Sequence, residues 1–152
     1  ATLAQSAAIA HYCANVAGLT PSDPLEQAKV MEVYEFIVQD IRERLLIPTM
    51  RIKDPAEKAE ARATIAKETL PAKLALLEKQ VQPSGYLVGD SVTLADIQFY
   101  CTANWIGLGV LDGIPKDVIL QFPKLTKLIQ TLNEHPKIKA WNAEKNPKLP
   151  WC

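Results

Sequence analysis

The sequence predicts an all-α protein, a bundle of about six or seven helices. Prolines stand at the starts of periodic segments, and apolar residues recur at helical spacing between those starts. Strand signals are absent, because the chain has no sustained apolar–polar alternation and no two-residue Asn-Gly or Asp-Gly hairpin between β-branched runs. A length of 152 residues suits one such bundle with a buried core.

Proline marks the beginnings of the predicted helices. In "SDPLEQA" and "KDPAEKA" an aspartate, Asp23 or Asp54, precedes the proline and a glutamate follows it. The aspartate side chain can accept a hydrogen bond from a free helical N–H, and proline has no N–H to leave unpaired. The stretches "GIPKDVI", "QFPKLTKLI" and "EHPKIKAW" place proline at three further helix starts.

Three long helices and two short ones follow from the spacing of apolar residues. The first long helix starts near Leu25, and the second covers 55–81 with an expected kink at Pro71. The third, 93–109, is strongly apolar and is therefore expected at the centre of the bundle. The short helices are predicted near 124–134 and 136–143.

The amino-acid composition argues against several functional classes of protein. Seventeen basic residues balance seventeen acidic ones, so no global field favours nucleic acid or an anionic membrane as a partner. No apolar run is long enough to span a membrane, and no basic segment precedes an apolar stretch as in a secretory signal. An odd number of cysteines without metal-ligand spacing predicts a reducing compartment, the cytoplasm, and no metal site. Cys13 and Cys101 are expected to pack in the interior, and Cys152 to be exposed.

A capping box is predicted within "GDSVTLADIQFY". Thr93 and Asp96 stand three residues apart, directly before an apolar helix, and each can satisfy the backbone N–H of the other. Val92 and Ile97 occupy the positions of a hydrophobic staple. The alternative, that Asp96 is a general base, is less favoured because capping already accounts for its position.

Together these stretches resemble the cytosolic glutathione transferases. "GYLVGDSVTLADI" is similar to the start of the core helix in the family's all-α C-terminal domain, and "DPLEQAKVMEVYEFIVQDI" to that domain's first long helix. "FPKLTKLIQTLNEHPKIKAW" is similar to its final helices. "AQSAAIAHYCANVAGL" resembles the last helix of the family's thioredoxin-like domain and the linker after it. The resemblance thus implies two parts, 1–18 and 19–152. "LDGIPKD" and "HPKIKAW" are closest to the sigma-like class.

The resemblance implies that Gln5 and Ser6 bind the γ-glutamyl carboxylate of glutathione, the family's co-substrate. A helix N-terminus suits that task because its free N–H groups and partial positive charge stabilise an anion. Two structural roles stay open from the sequence alone. Thr2 and Gln5 have capping-box spacing, and Ser6 can serve as a plain N-cap.

In the family, the strands, the cis-proline and the activating Tyr, Ser or Cys precede this helix, and the sequence given does not contain them. Tyr12 lies inside the helix and is no substitute. We therefore expect no catalytic residue in this chain, which would be a C-terminal fragment that is inactive alone. The parent protein would be a homodimeric transferase that conjugates glutathione to a small hydrophobic electrophile.

Candidates for the electrophile pocket are Tyr34, Met50, Trp105 and the "LPWC" tail. Each is a weak candidate individually, because an apolar residue at helical spacing is more often part of the core. Glu35 and Asp40 lie on the helix that, in some classes, supplies a carboxylate to the partner subunit's glutathione amine. For both of them a solvated helix face is the favoured interpretation.

A second function stays open. Transferase-like α-domains also occur without catalysis in the gamma subunit of a translation elongation factor and in synthetase scaffolds, where they dock protein partners. The Gln-Ser pair favours the enzyme, because a scaffold has no need of a carboxylate site at that position.

Overall fold

The computed structural model describes residues 1–145, which form six helices and no strand. The helices are α1 (Ser6–Ala17), α2 (24–50), α3 (55–80), α4 (Leu94–Gly107), α5 (Pro123–Glu134) and α6 (Pro136–Lys145). A short 3₁₀ turn, Val118–Gln121, lies between α4 and α5. The all-α prediction is therefore confirmed. Within the described residues, none of these helices has both the length and the apolar character needed to cross a membrane.

The proline-marked starts of α2 and α3 form as the sequence predicts. Asp23 accepts a hydrogen bond from the N–H of Glu26 at 2.9 Å, and Asp54 accepts one from Glu57 at 2.8 Å. In both helices proline is the first residue, where its missing N–H costs nothing. Pro115 behaves differently, since it leads into the 3₁₀ turn rather than into an α-helix.

The start of α5 is capped by a neighbouring helix. The carboxylate of Glu78, on α3, accepts the backbone N–H groups of Lys124 and Leu125, each at 3.0 Å. One side chain thus satisfies two of the free donors at the N-terminus of α5 and fixes this end of α5 against α3.

Both long helices contain a π-helical stretch that ends shortly before a proline. The segments are Pro24–Glu35, Phe36–Leu46 and Ile47–Met50 in α2, and Pro55–Thr64, Ile65–Thr69 and Leu70–Gln80 in α3. Pro48 and Pro71 cannot donate to the helical ladder, and their rings crowd the preceding turn. A wider π turn ahead of the proline relieves that crowding. The interruption expected at Pro71 therefore appears as a change of helical register.

The centre of the bundle is α4. Ten of its 14 residues are buried, and it contacts α1, α2 and α5. α3 packs against α2 and α5, and α6 packs against α5. The central position of α4 agrees with the position expected from its apolar composition.

Cys13 and Cys101 are both exposed, so the prediction that they pack in the interior is wrong. Cys13 lies on α1, whose surface is largely exposed, and Cys101 borders a cavity beside α4. Apolar neighbours in the sequence do not determine which face of its helix each cysteine occupies. Cys152 lies outside the described residues.

Candidate functional site

The N-terminus of α1 carries no side-chain cap. The helix begins at Ser6, and Gln5 occupies the N-cap position without a side-chain hydrogen bond to the helix. The N–H of Ile9 donates to the carbonyl of Gln5 at 3.0 Å and is the first helical bond. The N–H groups of Ser6, Ala7 and Ala8 consequently have no acceptor within the helix, and the first turn contains no acidic residue.

Gln5 holds an unfavourable backbone conformation, with φ of 74° and ψ of 121°. Among the described residues it is the one non-glycine residue with positive φ. Such a conformation costs of order 1–3 kcal/mol and tends to occur where a protein uses it. Neither structural alternative is present, because Thr2 lies ahead of the helix and Ser6 is its first residue rather than its N-cap.

The open end of α1 differs from the starts of α2 to α5, where a carboxylate accepts backbone N–H groups. Gln5 and Ser6 are both exposed, so their donors face solvent. Because the first turn contains no acidic residue that would offset the positive end of the helix dipole, this terminus favours an incoming carboxylate or phosphate.

One side of α1 attaches it to the bundle, and the other side is exposed. Ala14 is buried, and Ala7 and Ala10 pack against the same core. On the exposed side Tyr12 retains 61% and Val16 retains 73% of their accessible surface. Small residues therefore let α1 lie close to α4, while its larger apolar residues face outward.

The capping box at the start of α4 is present in both its halves. The N–H and the hydroxyl of Thr93 donate to Oδ2 of Asp96, at 2.8 and 2.9 Å. The N–H of Leu87 donates to Oδ1 of the same carboxylate at 2.8 Å. Asp96 is fully buried, and this burial raises its pKa although the donated hydrogen bonds oppose the rise. Two of these three donors are backbone N–H groups, as expected of a residue with a structural role.

A cavity of about 430 Å³ lies between α4 and α6. Among the described residues its lining includes apolar and aromatic side chains from both helices. They are Ile97, Cys101 and Trp105 on α4, Leu108 directly after it, and Ile138 and Trp141 on α6. The polar lining residues are Tyr100, Asn104, Lys137 and Asn142. Its size and mostly apolar lining are those of a small-molecule site.

The electrophile-pocket candidates do not converge on this cavity. Trp105 lines it, and the guanidinium of Arg42 lies 5.6 Å from the centroid of the Trp105 ring. Tyr34 is buried in the core, where burial raises its pKa, and Met50 is exposed at the end of α2. The "LPWC" tail lies outside the described residues.

Other charged residues on α2 have local roles. Asp40 forms an ion pair with Arg44 at 3.0 Å, one turn along the helix. The charge of Glu35 adds to the rise in the pKa of Tyr34. Neither carboxylate lies at the open end of α1 or among the described residues that line the cavity.

Sequence reasoning missed Asn104 and Arg42. Asn104 is only 4% exposed, and its Oδ1 has no hydrogen-bond partner within residues 1–145; Arg42 Nε is likewise unpartnered there. One signal for Asn104 was available, since an amide in the middle of a strongly apolar helix requires a buried partner. Nothing in the sequence places Arg42 against an aromatic ring sixty-three residues further along.

Comparison with known proteins identifies the class. The family described as "Glutathione S-transferase, C-terminal domain" matches residues 39–145. Glutathione S-transferase 1 of Ascaris suum is 36% identical over 155 residues, which cover 98% of this chain and 71% of that protein. The solved structure of prostaglandin synthase D of Nilaparvata lugens superposes with a TM-score of 0.83 at 27% identity, covering 95% of this chain and 69% of that one.

A different kind of relative also matches. Elongation factor 1-gamma of Carassius auratus is 30% identical over 141 residues, covering 91% of this chain but 30% of that protein. The chain belongs to the glutathione S-transferase family, in which its helical bundle corresponds to the C-terminal domain. The prediction that this chain comes from a glutathione transferase is therefore confirmed.

Proposed function

We propose that the N-terminus of α1 binds the γ-glutamyl carboxylate of glutathione, in a transferase that conjugates glutathione to a small hydrophobic electrophile. One observation carries the proposal. Three successive N–H groups, those of Ser6, Ala7 and Ala8, lack a helical acceptor behind a strained Gln5, at an exposed helix end whose first turn contains no acid. The hydroxyl of Ser6 and the amide of Gln5 add two side-chain donors to that set.

The positive φ of Gln5 suits this role. With an extended N-cap residue, as in α2 and α3, the side chain folds back and occupies the free N–H groups itself. At φ of 74° the Gln5 side chain makes no such bond, and the helix end stays available to an external anion. We infer that the strain is retained because it keeps the site open.

The remaining parts of the proposal rest on family membership. Residues 1–18 would belong with the thioredoxin-like domain and residues 19–152 would form the C-terminal domain. The intact protein would be a cytoplasmic homodimer of the sigma-like class. Exposed apolar side chains on the long helices, Leu25 on α2 and Leu76 on α3, support an interface there.

Glutathione titration followed by backbone amide NMR tests the carboxylate site. We expect the amide signals of residues 6–8 to shift, with a dissociation constant of roughly millimolar order, because a few charge-assisted hydrogen bonds supply the binding energy. The matched probe is 4-aminobutyryl-cysteinyl-glycine, which is glutathione without the γ-glutamyl α-carboxylate. It should leave these signals in place, and equal shifts from both peptides would contradict the proposal.

Variants separate the helix end from non-specific binding. Ser6→Ala removes one donor and should weaken glutathione binding several-fold. The control is Ser22→Ala, an exposed serine on the segment between α1 and α2. Binding that is insensitive to Ser6→Ala but lost in Ser22→Ala would place the carboxylate elsewhere.

The non-catalytic interaction module remains the second candidate, supported by the match to elongation factor 1-gamma. The same titration distinguishes the two, because a scaffold has no reason to leave a helix end open to a carboxylate. Absence of any shift at residues 6–8 would favour the interaction module.

A further inference from the structure

Cys101 lies on the wall of the cavity between α4 and α6, where its thiol can be reached from outside. The residue is exposed, and it is one of those that line the cavity. The carboxylate site proposed at α1 makes no use of it. Because the surroundings of a thiol decide its reactivity, the neighbouring polar groups show what Cys101 can react with.

The first of these groups is the amide of Asn104, which lies three residues after Cys101 and lines the same cavity. Asn104 is 4% exposed, and its Nδ2 donates to the backbone carbonyl of Tyr100 at 3.0 Å. That bond fixes the orientation of the amide, since only the nitrogen can donate to a carbonyl. Its Oδ1 is a buried acceptor without a partner among the described residues, whereas buried polar groups are nearly always paired. An N–H group attached at Cys101 would supply the missing donor.

The second group is the guanidinium of Arg42. It lies 5.6 Å from the centroid of the Trp105 ring, and Trp105 is one helical turn from Cys101. Its positive charge acts on the Cys101 thiol. Nε of Arg42 has no hydrogen-bond partner within residues 1–145. The guanidinium is therefore able to donate to a carboxylate that is held near Cys101.

We propose that Cys101 forms a mixed disulfide with a cysteinyl peptide disulfide, whose amide N–H donates to Asn104 Oδ1 and whose carboxylate pairs with Arg42. The thiolate of Cys101 attacks one sulfur of the peptide disulfide. A new S–S bond forms at Cys101 as the original S–S bond breaks, and the released peptide thiolate takes up the proton that Cys101 has lost. The peptide disulfide is the oxidant, because half of it leaves as a thiol while Cys101 is oxidised.

The exchange at Cys101 should be slow, and its selectivity should appear in the equilibrium. Burial raises the pKa of the Cys101 thiol, and the charge of Arg42 offsets part of that rise, so little thiolate is present at neutral pH. At equilibrium near neutral pH the free thiols are mostly protonated. The contacts that the attached peptide makes with Asn104 and Arg42 then decide how much mixed disulfide is present.

This modification site is separate from the carboxylate site proposed at α1. None of the described residues that line the cavity comes from α1. Modification of Cys101 is measured by mass, whereas the carboxylate site is measured by the amide shifts of residues 6–8. Failure of one proposal therefore leaves the other standing.

The test uses a protein in which Cys101 is the one cysteine, with Cys13→Ser and Cys152→Ser. The folded protein and the same protein in urea are equilibrated with reduced glutathione and glutathione disulfide at neutral pH, and intact mass gives the fraction modified. We expect the equilibrium constant to be about three- to tenfold larger in the folded protein, the effect of one buried hydrogen bond. Equal constants, a larger constant in urea or no modification of the folded protein would overturn the proposal.

Dithiodipropionate is the matched probe, because each of its halves has a carboxylate but no N–H group. Its ratio of folded to unfolded equilibrium constants should be smaller than that of glutathione disulfide, since it cannot donate to Asn104 Oδ1. This comparison needs no substitution at Asn104, so it holds even where a variant fails to fold. Equal ratios for the two probes would overturn the assignment of Asn104.

Variants separate the two contacts. Asn104→Leu should lower the ratio for glutathione disulfide and leave that for dithiodipropionate unchanged, whereas Arg42→Met should lower both. Arg44→Met is the control and should change neither, since Arg44 is exposed and paired with Asp40. Circular dichroism establishes that each variant is folded. A folded Asn104→Leu or Arg42→Met protein with the original glutathione ratio would overturn the role of that residue.

Discussion

The Nε atom of Arg62 donates a hydrogen bond to the Oγ1 atom of Thr49 at 3.0 Å, joining the end of α2 to α3. Both residues are 4% exposed. The Thr49 hydroxyl in turn donates to the carbonyl of Leu46 at 2.8 Å, and Arg62 Nη1 donates to the carbonyl of Asp112 at 3.1 Å. One buried guanidinium thus connects two helices to the loop after α4.

Removing the Thr49 hydroxyl, the acceptor, should lower the stability of the protein more than removing the Arg62 guanidinium, the charge. Thr49→Val leaves a buried guanidinium donor unpaired and is expected to lower the free energy of unfolding by about 2 kcal/mol. Arg62→Met removes the charge together with its need for partners, and is expected to cost less than about 1 kcal/mol. Urea unfolding of both variants gives the comparison.

The double variant and a surface control complete this test. In the Arg62→Met background, Thr49→Val should lose most of its effect, since the two side chains interact directly. Asp112→Ala should change stability little, because that carboxylate is 96% exposed and 3.7 Å from Arg62. If Arg62→Met costs as much as Thr49→Val, the hydrogen bond is not what makes Thr49 important.

Asp96→Ala should be more destabilising than the loss of an ordinary helix cap. The carboxylate accepts from the N–H and hydroxyl of Thr93 and from the N–H of Leu87, all within 2.9 Å. Its loss leaves buried donors unpaired in two segments, so we expect a cost of about 3 kcal/mol. Asp90→Ala, at an exposed residue in the same loop, is the control. Chemical denaturation measures both, and near-equal stabilities would disprove the structural role of Asp96.

The sequence was sufficient for local features and insufficient for contacts between distant segments. The Thr93–Asp96 spacing predicts a capping box by itself, because both partners lie within one helical turn. The third donor to Asp96, the N–H of Leu87, comes from a loop whose path depends on tertiary packing. The π-helical stretches before Pro48 and Pro71 were also missed, since a proline inside a helix predicts an interruption but not its form.

The same distinction holds for the candidate site. The family resemblance predicts Gln5 and Ser6 as site residues, whereas the spacing of Thr2 and Gln5 predicts a capping box that does not form. The positive φ of Gln5 has no sequence signal, because glycine or asparagine would be the usual residue there. For Asn104 the sequence shows an amide in an apolar helix, but it does not show that Oδ1 lacks a partner among residues 1–145.

The thiol of Cys101 should titrate above its ordinary range. The apolar surroundings of the thiol raise the pKa of Cys101, and the nearby positive charge of Arg42 partly offsets that rise. In a protein with Cys13→Ser and Cys152→Ser, the rate of alkylation by iodoacetamide should therefore reach half its maximum at a higher pH in the folded protein than in urea. Arg42→Ala should move the folded midpoint higher still, and Arg44→Ala is the control. A folded midpoint below that in urea would show that the charge outweighs desolvation.

Gln5→Gly should stabilise the protein while weakening the proposed carboxylate site. Glycine adopts a φ of 74° without steric cost, and the relief of strain exceeds the added entropy of the unfolded chain, giving a net gain of about 1 kcal/mol. Loss of the Gln5 amide should at the same time reduce the glutathione-induced shifts at residues 6–8. Gln82→Gly, at an exposed residue outside the helices, is the control for the added chain entropy and should not raise the stability of the folded protein. Thermal unfolding and the glutathione titration measure the two effects separately. A Gln5→Gly protein that is less stable than the wild type would show that Gln5 is not strained, and would remove the reason for regarding this helix end as held open for a ligand.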